Sequence, residues 1–193
     1  EEDTPENEEF KERVRMFQYL ITANEGDNNK EIIWGLSNQF DFYSRYPLRI
    51  LKKSDGTWHA GYSGVSPTLY TIEHFYTANG KLPEKDLDFT PSSEWFESAG
   101  LSSREDIIKL NVGREPRFYA SVAYNGDVWN LLNSNKNAGE PQNIQVFYYR
   151  GDGNGYTNSM FWLRTGIGVK KFVHPDDMGK GDNNEELIKA IEY

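Results

Sequence analysis

The segment NVGREPRFYASVAYNGDVW, residues 111–129, restricts the possible folds more than any other part of the chain. Two arginines and a proline precede a nearly continuous apolar run over residues 118–124, which includes several small side chains. Such a run suits a buried strand or a tight helical turn. Asn125 and Gly126 end the run, and an Asn-Gly pair is a strong signal for a hairpin turn. We therefore predict that a return strand begins at Val128.

Arg114 and Arg117 flank the Glu115-Pro116 pair and allow two interpretations. In a catalytic interpretation the two arginines form an anion clamp. In a structural interpretation they pair with Glu115 and with nearby carbonyls, and they fix a chain reversal before the apolar run. The planar guanidinium group makes several directed hydrogen bonds at once, which favours the structural interpretation. We therefore predict a structural lock at this position and look elsewhere for the functional site.

Two further segments have helical patterns. Residues 7–23 carry apolar side chains at helical spacing after a capping asparagine. Residues 66–80 begin with Ser66 as a cap and Pro67 at the first helical position, and Gly80 follows the end. Short strands are predicted in KEIIWGL, NIQVFYYR and TGIGVKKFV, with glycine- and proline-rich connectors between them. The predicted fold class is α+β, an irregular, loop-rich region with a few helices and short antiparallel strands.

The composition argues against several functional classes. The net charge of −9 is opposite to the basic surface that nucleic-acid binding requires. The chain has no cysteine, which excludes disulfides, thiolate nucleophiles and cysteine-based zinc sites. No Gly-x-Ser-x-Gly motif is present for a hydrolase serine. The sequence therefore gives no positive indication of catalysis, and we predict no cofactor.

Metal binding is also weakly indicated. The three histidines lack the i, i+4 spacing of a helical metal pair: His59, His74 and His174. Oxygen donors alternate in GDGNGYTN at Asp152, Asn154 and Asn158, a spacing that calcium prefers. The glutamate that completes an EF-hand loop is missing there, so a plain turn is the favoured interpretation. We predict no metal site.

Aromatic residues make up 15% of the chain, and many of them lie in a connector where side chains need not be buried. Sugar rings have an apolar C–H face that stacks on aromatic rings, while their hydroxyl groups bind polar side chains. The predicted ligand-binding residues combine both kinds: Asn38, Phe40, Phe42, Tyr43, Arg45, Tyr46, Trp58 and Tyr62. The alternative is that these rings only hold loops against the body. Trp95, Trp129 and Trp162 are second-rank candidates.

Four segments in order resemble the SusD/RagB family of nutrient-binding lipoproteins: NKEIIWGL, SPTLYTIEHFYTANGKLPEKD, LNVGREPRFYASVAYNGDVW and TGIGVKKFVHPDD. The resemblance covers nearly the whole chain after about residue 28. Members of the family are longer, carry a lipidated cysteine and contain a tetratricopeptide-like helical scaffold. Because these features are missing, we expect residues 1–193 to form a single partial domain that normally packs on that scaffold.

The resemblance implies a binding function without catalysis. Members capture oligosaccharide or polysaccharide at the outer surface of the outer membrane and deliver it to a SusC-like TonB-dependent transporter. Membrane attachment is expected only through the lipid anchor, which this chain lacks. The matched segments carry no ligand-binding residues over, so the binding residues between 38 and 62 are inferred from the sequence itself. Three alternatives remain open: a surface glycoside hydrolase, a region that only docks on the transporter, and a peptide-binding relative.

Overall fold

The computed structural model describes residues 8–22, 51–52, 58–59, 65–101, 107–133, 141–145, 163–171 and 178–179. Three helices and seven short strands lie in these ranges, together with three 3₁₀ turns at Pro83–Lys85, Ser92–Glu94 and Lys109–Asn111. Within the described part of the chain, the predicted α+β, loop-rich fold class is confirmed. The predicted strand in KEIIWGL lies outside the described residues.

Helix α1 spans Glu8–Thr22, close to the predicted residues 7–23. Its inner face packs on the body of the protein, and the Phe10 ring meets the Tyr119 ring edge-on at 5.5 Å between centroids. The buried Thr22 ends the helix, and its hydroxyl donates to the carbonyl oxygen of Gln18 at 2.6 Å. The amphipathic pattern of this segment therefore predicted both its extent and its buried side.

Helix α2 spans only Leu69–Glu73, so the predicted helix over residues 66–80 is wrong in length. Thr68 takes the N-cap position, where its hydroxyl accepts from the backbone N–H of Thr71 at 3.4 Å. The predicted cap, Ser66, instead accepts from the backbone N–H of Arg164 at 2.9 Å. The Ser66 hydroxyl therefore binds a residue distant in sequence and does not cap the helix as predicted.

Helix α3 spans Pro116–Ser121 and leads directly into strand β3, Val122–Ala123. Pro116 occupies the first turn, where a missing N–H costs nothing and the fixed φ suits a helix. The apolar run therefore forms both structures that the sequence allowed, a short helix followed by a strand. This helix packs against α1.

The predicted hairpin after Asn125-Gly126 is wrong. A turn does form, because the N–H of Asp127 donates to the carbonyl of Tyr124 at 3.0 Å and Gly126 adopts φ 82°. However, β3 pairs with strand β6, Gly168–Val169, and not with the strand that follows the turn. The Asn-Gly pair therefore marks a transition between two sheets.

Strand β4, Val128–Asn133, begins where predicted but belongs to a separate three-stranded sheet. It pairs antiparallel with β5, Pro141–Gln145, and parallel with β7, Met178–Gly179. The remaining strands, β1 at Leu51–Lys52 and β2 at Trp58–His59, form an antiparallel pair of their own.

The buried core lies where α2, α3, β3 and the 3₁₀ turns meet. Its members are Ile72, Trp95, Ile107, Leu110, Phe118, Tyr119, Val122 and Tyr124. The second-rank ligand candidate Trp95 is therefore corrected to a core residue, since only 4% of it is exposed. Its indole N–H donates to the carbonyl of Thr90 at 2.9 Å, which satisfies its one polar group inside the protein.

The fully buried Arg114 holds this core together from its centre. Its guanidinium donates to four backbone carbonyls: Leu110 at 2.9 Å, Ile72 at 2.6 Å, Phe75 at 2.8 Å and Tyr76 at 3.4 Å. The group also lies 4.7 Å from the centroid of the Phe118 ring. Burial lowers the pKa of Arg114 to about 10, so the side chain stays charged at neutral pH. The predicted structural lock is confirmed for Arg114.

Arg117 is more exposed than Arg114 and makes a different contact in the same lock. It pairs with the carboxylate of Glu115 at 2.8 Å. The same Glu115 oxygen accepts from the backbone N–H of Tyr76 at 2.8 Å. The predicted pairing with Glu115 is therefore made by Arg117, while the hydrogen bonds of the Arg114 guanidinium within the described residues go to carbonyl oxygens.

We predict that Arg114→Lys lowers the free energy of unfolding by about 3 kcal/mol, because one ammonium group cannot replace a planar fork that reaches four carbonyls. Urea denaturation of the purified protein measures this change. Arg117→Lys is the matched control, and its half-exposed side chain should change the free energy by less than about 1 kcal/mol. Equal effects of the two substitutions would contradict the proposed centre of the lock.

Candidate functional site

Of the eight predicted ligand-binding residues, Trp58 is the one that lies in the described part of the chain. The backbone of Trp58 lies in β2, opposite Lys52 of β1, and Asp55-Gly56 stands between these paired strands. The connector therefore includes a short antiparallel ribbon at this point. The other seven predicted residues lie outside the described residues: Asn38, Phe40, Phe42, Tyr43, Arg45, Tyr46 and Tyr62.

Of the remaining candidates from the sequence, one lies in the described part of the chain and the others lie outside it. The backbone of Trp129 lies in β4 opposite Ile144. Trp162 and the three calcium candidates, Asp152, Asn154 and Asn158, lie outside the described residues. Within the described ranges, no group of three or more acidic or histidine side chains is arranged to hold a metal ion. No helix in those ranges has the length and apolar character needed to cross a membrane.

Asp86 is the first of the buried charged groups in the described residues, where a perturbed carboxylate is a candidate for acid–base chemistry. Its carboxylate accepts from the Thr77 hydroxyl at 2.6 Å, from the Asn79 amide at 3.0 Å and from the backbone N–H of Asp88 at 3.2 Å. The ammonium group of Lys81 lies 3.7 Å away. The Thr77 hydrogen bond is the main reason that the pKa of Asp86 is lowered. These contacts engage both carboxylate oxygens in holding the loop that follows α2.

Asp127 and Lys170 form the second buried charged group. Their side chains are 5% and 10% exposed and lie 3.0 Å apart. The backbone N–H of Lys170 also donates to the carbonyl of Ser121, at the end of α3. The pair therefore links the turn after β3 to the end of β6, at the junction between two sheets. Because the two charges neutralise each other and connect two segments of the fold, this buried pair has a structural role.

The outward side of α2 carries an exposed aromatic ring that the sequence analysis did not single out. Tyr70 is 69% exposed, and its ring contacts the His74 ring with 4.1 Å between centroids and an interplanar angle of 43°. Nδ1 of His74 lies 2.7 Å from the carbonyl oxygen of Tyr70, which fixes the imidazole against the helix. The apolar spacing of Leu69, Ile72 and Phe75 in the sequence indicates the side of the helix that faces the core. It does not show that the Tyr70 and His74 rings contact each other on the outer side.

The pattern of the SusD family matches residues 30–191. The chain belongs to the SusD family. This match confirms the resemblance carried by the four sequence segments. It includes α2, α3, all seven strands and the connector with the predicted ligand-binding residues, while α1 precedes it.

Two solved structures of BT4246, a SusD-like protein from Bacteroides, are similar to this SusD family chain. One, of selenomethionine BT4246, has 61% identity and a TM-score of 0.77, and the match covers 91% of this chain and 30% of that one. The other has 56% identity and a TM-score of 0.78, with coverage of 97% and 32%. The chain thus spans about a third of the length of these relatives. No curated protein matches it.

The lowered pKa of Asp86 predicts a contribution to stability in acid. A carboxylate whose pKa is lower in the folded protein stabilises the fold above its unfolded pKa, and this contribution is lost as the pH falls through the folded value. We therefore expect the free energy of unfolding to decrease below about pH 4. Asp86→Asn should weaken this dependence, as measured by urea denaturation between neutral and acidic pH.

The exposed neighbour Asp88 supplies the matched control, since Asp88→Asn removes a carboxylate from the same loop. This control should keep the acid dependence of the unmodified protein. The assignment of Asp86 would be wrong if Asp86→Asn and the unmodified protein lost stability in parallel on acidification.

Proposed function

We propose that this chain is the glycan-contacting part of a non-catalytic, nutrient-binding protein that captures oligosaccharide at the cell surface. The observation that carries the proposal is the match to the SusD family over residues 30–191. Members of this family are in general binding proteins of nutrient uptake, exposed on the outer membrane. The 56–61% identity to BT4246 adds support, because it extends through nearly the whole chain.

The contacts of the buried charged groups also support binding over catalysis. Arg114 is engaged by carbonyl oxygens, Asp86 by three hydrogen-bond donors, and Asp127 by Lys170. A general acid or base must present its titrating atom to a substrate within hydrogen-bond reach. The buried side chains in the described part of the chain instead direct these atoms toward the protein itself.

The proposed mechanism is stacking combined with hydrogen bonding. Rings in the connector, among them Tyr43 and Trp58, contact the apolar faces of sugar units, and polar neighbours such as Asn38 and Arg45 bind their hydroxyl groups. Each stacked ring contributes on the order of 1 kcal/mol beyond the burial of its area, by analogy with aromatic pairs. After the cost of association, a few such contacts give an affinity of roughly micromolar to millimolar.

The proposed partner is a SusC-like TonB-dependent transporter, and the proposed location is the outer face of the outer membrane, through a lipid anchor in the longer protein. Both follow from family membership. A weak glycan complex suits this arrangement, because a binding protein that passes its ligand to a transporter must release it. Fast dissociation accompanies weak affinity when association rates are similar.

We predict that Trp58→Ala in the full-length protein weakens binding to its polysaccharide about fivefold, because one stacking contact is lost. Affinity gel electrophoresis, in which a retained protein migrates more slowly through an embedded polysaccharide, measures this change. Tyr43→Ala is expected to act in the same direction.

Phe96→Ala is the matched control, since Phe96 is 64% exposed and lies outside the connector. It should leave retention unchanged. Normal retention of both Trp58→Ala and Tyr43→Ala would favour the alternative in which this region only docks on the transporter. Failure of every polysaccharide to retain the unmodified protein, with retention of a peptide, would favour a peptide-binding relative.

We also predict that the full-length protein releases no reducing ends from a polysaccharide that it binds. Colorimetric detection of reducing sugar during prolonged incubation tests this directly. Release that disappears when a single carboxylate is replaced would establish the glycoside hydrolase alternative instead.

A further inference from the structure

We propose that the outer face of α2, formed by Tyr70, Thr71 and His74, is a second contact for the glycan, separate from the connector around Trp58. This inference rests on the proposed function. All three residues are exposed, whereas Ile72 on the opposite side of the helix is 1% exposed and belongs to the core. The helix therefore presents one face to the interior and the other to solvent.

The Tyr70 ring is oriented before any ligand arrives. Its contact with the His74 ring, at 4.1 Å between centroids, restricts rotation of the tyrosine side chain. The imidazole is itself fixed by its 2.7 Å contact with the carbonyl oxygen of Tyr70. An exposed ring with a fixed orientation loses less conformational entropy on binding than a freely rotating one, so more of the stacking energy remains as affinity.

The helix that carries this ring is also rigidly attached. Arg114 binds the carbonyl of Ile72 within the helix and that of Phe75 just after it. Before the helix, the carbonyl of Pro67 accepts from the Thr165 hydroxyl at 2.6 Å. Both ends of α2 are thus held by segments distant in sequence, and the outer face has a fixed position on the body of the protein.

The chemistry of the outer face fits a neutral, hydroxyl-rich ligand. It combines an aromatic ring with a phenol, the Thr71 hydroxyl and an imidazole, all able to exchange hydrogen bonds with sugar hydroxyls. The half-buried Glu73 lies three residues after Tyr70 and next to His74, so it borders this face. In a protein of net charge −9, a polar face bordered by a carboxylate favours an uncharged sugar over an anion.

Stacking makes a specific prediction for substitutions at Tyr70. In the full-length protein, Tyr70→Ala should weaken polysaccharide retention about fivefold, because it removes the ring. Tyr70→Phe keeps the ring and should retain binding close to that of the unmodified protein. Affinity gel electrophoresis measures both, and thermal melting confirms that each variant is folded. Phe96→Ala, which removes an exposed ring elsewhere, should have no effect.

A double variant separates the two contacts. Tyr70→Ala combined with Trp58→Ala should weaken retention by about the product of the two single effects, as expected for independent sites. Normal retention of Tyr70→Ala, with weak retention of Trp58→Ala, would overturn this inference and leave the proposed function intact. Equal losses in Tyr70→Phe and Tyr70→Ala would overturn stacking as the mode of contact. Failure of the unmodified protein to bind any glycan would overturn the proposed function and this inference together.

Discussion

The described structure depends on the hydrogen bonds that the guanidinium group of Arg114 donates to backbone carbonyls. It binds carbonyls on two sides, from α2 and the residues after it, and from Leu110 in the 3₁₀ turn before the lock. These carbonyls come from a short helix and from turns, and those of Ile72 and Tyr76 also accept from the backbone N–H groups of Phe75 and Glu115. An irregular region cannot satisfy its backbone through long helices or wide sheets, so a buried side chain with several directed donors replaces them. The cost is the burial of a charge, which lowers the pKa of the arginine but leaves it protonated.

Neighbouring side chains also bind backbone groups that the short helices and strands leave unpaired. The hydroxyl of Tyr119 donates to the carbonyl of Asn111 and accepts from the N–H of Arg114, so a second side chain satisfies the backbone at the lock. Asp86 performs the complementary task, because its carboxylate accepts from donors around the loop that follows α2. Short elements are thus held in place by buried polar side chains whose partners are nearly all within the protein. Such networks fix one arrangement only when every member is satisfied.

Sequence reasoning succeeded where a local pattern or a residue's chemistry determines the outcome. The amphipathic period gave α1, and the geometry of arginine identified the lock before its carbonyl partners were known. It failed where a contact between residues distant in sequence determines the local structure. Ser66 has a side chain that can cap a helix, but its hydroxyl accepts a hydrogen bond from the backbone N–H of Arg164. Helix α2 therefore begins at Leu69, with Thr68 as its cap. Asn125-Gly126 does form a turn, but the partner of Val122 in β3 is Val169, 47 residues further along the chain.

The candidate site illustrates the same limit. Composition placed aromatic and polar residues together between 38 and 62, and the structure adds that Trp58 lies on a paired strand. Tyr70 was not predicted because the aromatic ligand candidates were confined to the connectors. The apolar spacing of Leu69, Ile72 and Phe75 already indicates that Tyr70, two positions before the buried Ile72, lies on the outer side of the helix.

This division separates the contacts that hold the fold from the exposed side chains that we propose as glycan contacts. The contacts of Arg114, Asp86 and the Asp127–Lys170 pair lie within the protein, so their energy does not depend on what is bound outside. Side chains such as Tyr70 contribute little to that interior, and their replacement leaves the buried network unchanged. Substitutions at exposed positions away from structural features usually change stability by no more than about 0.5 kcal/mol. If the proposed glycan contacts are made by exposed rings, these rings can be exchanged while the arginine lock keeps the segments that carry them in place.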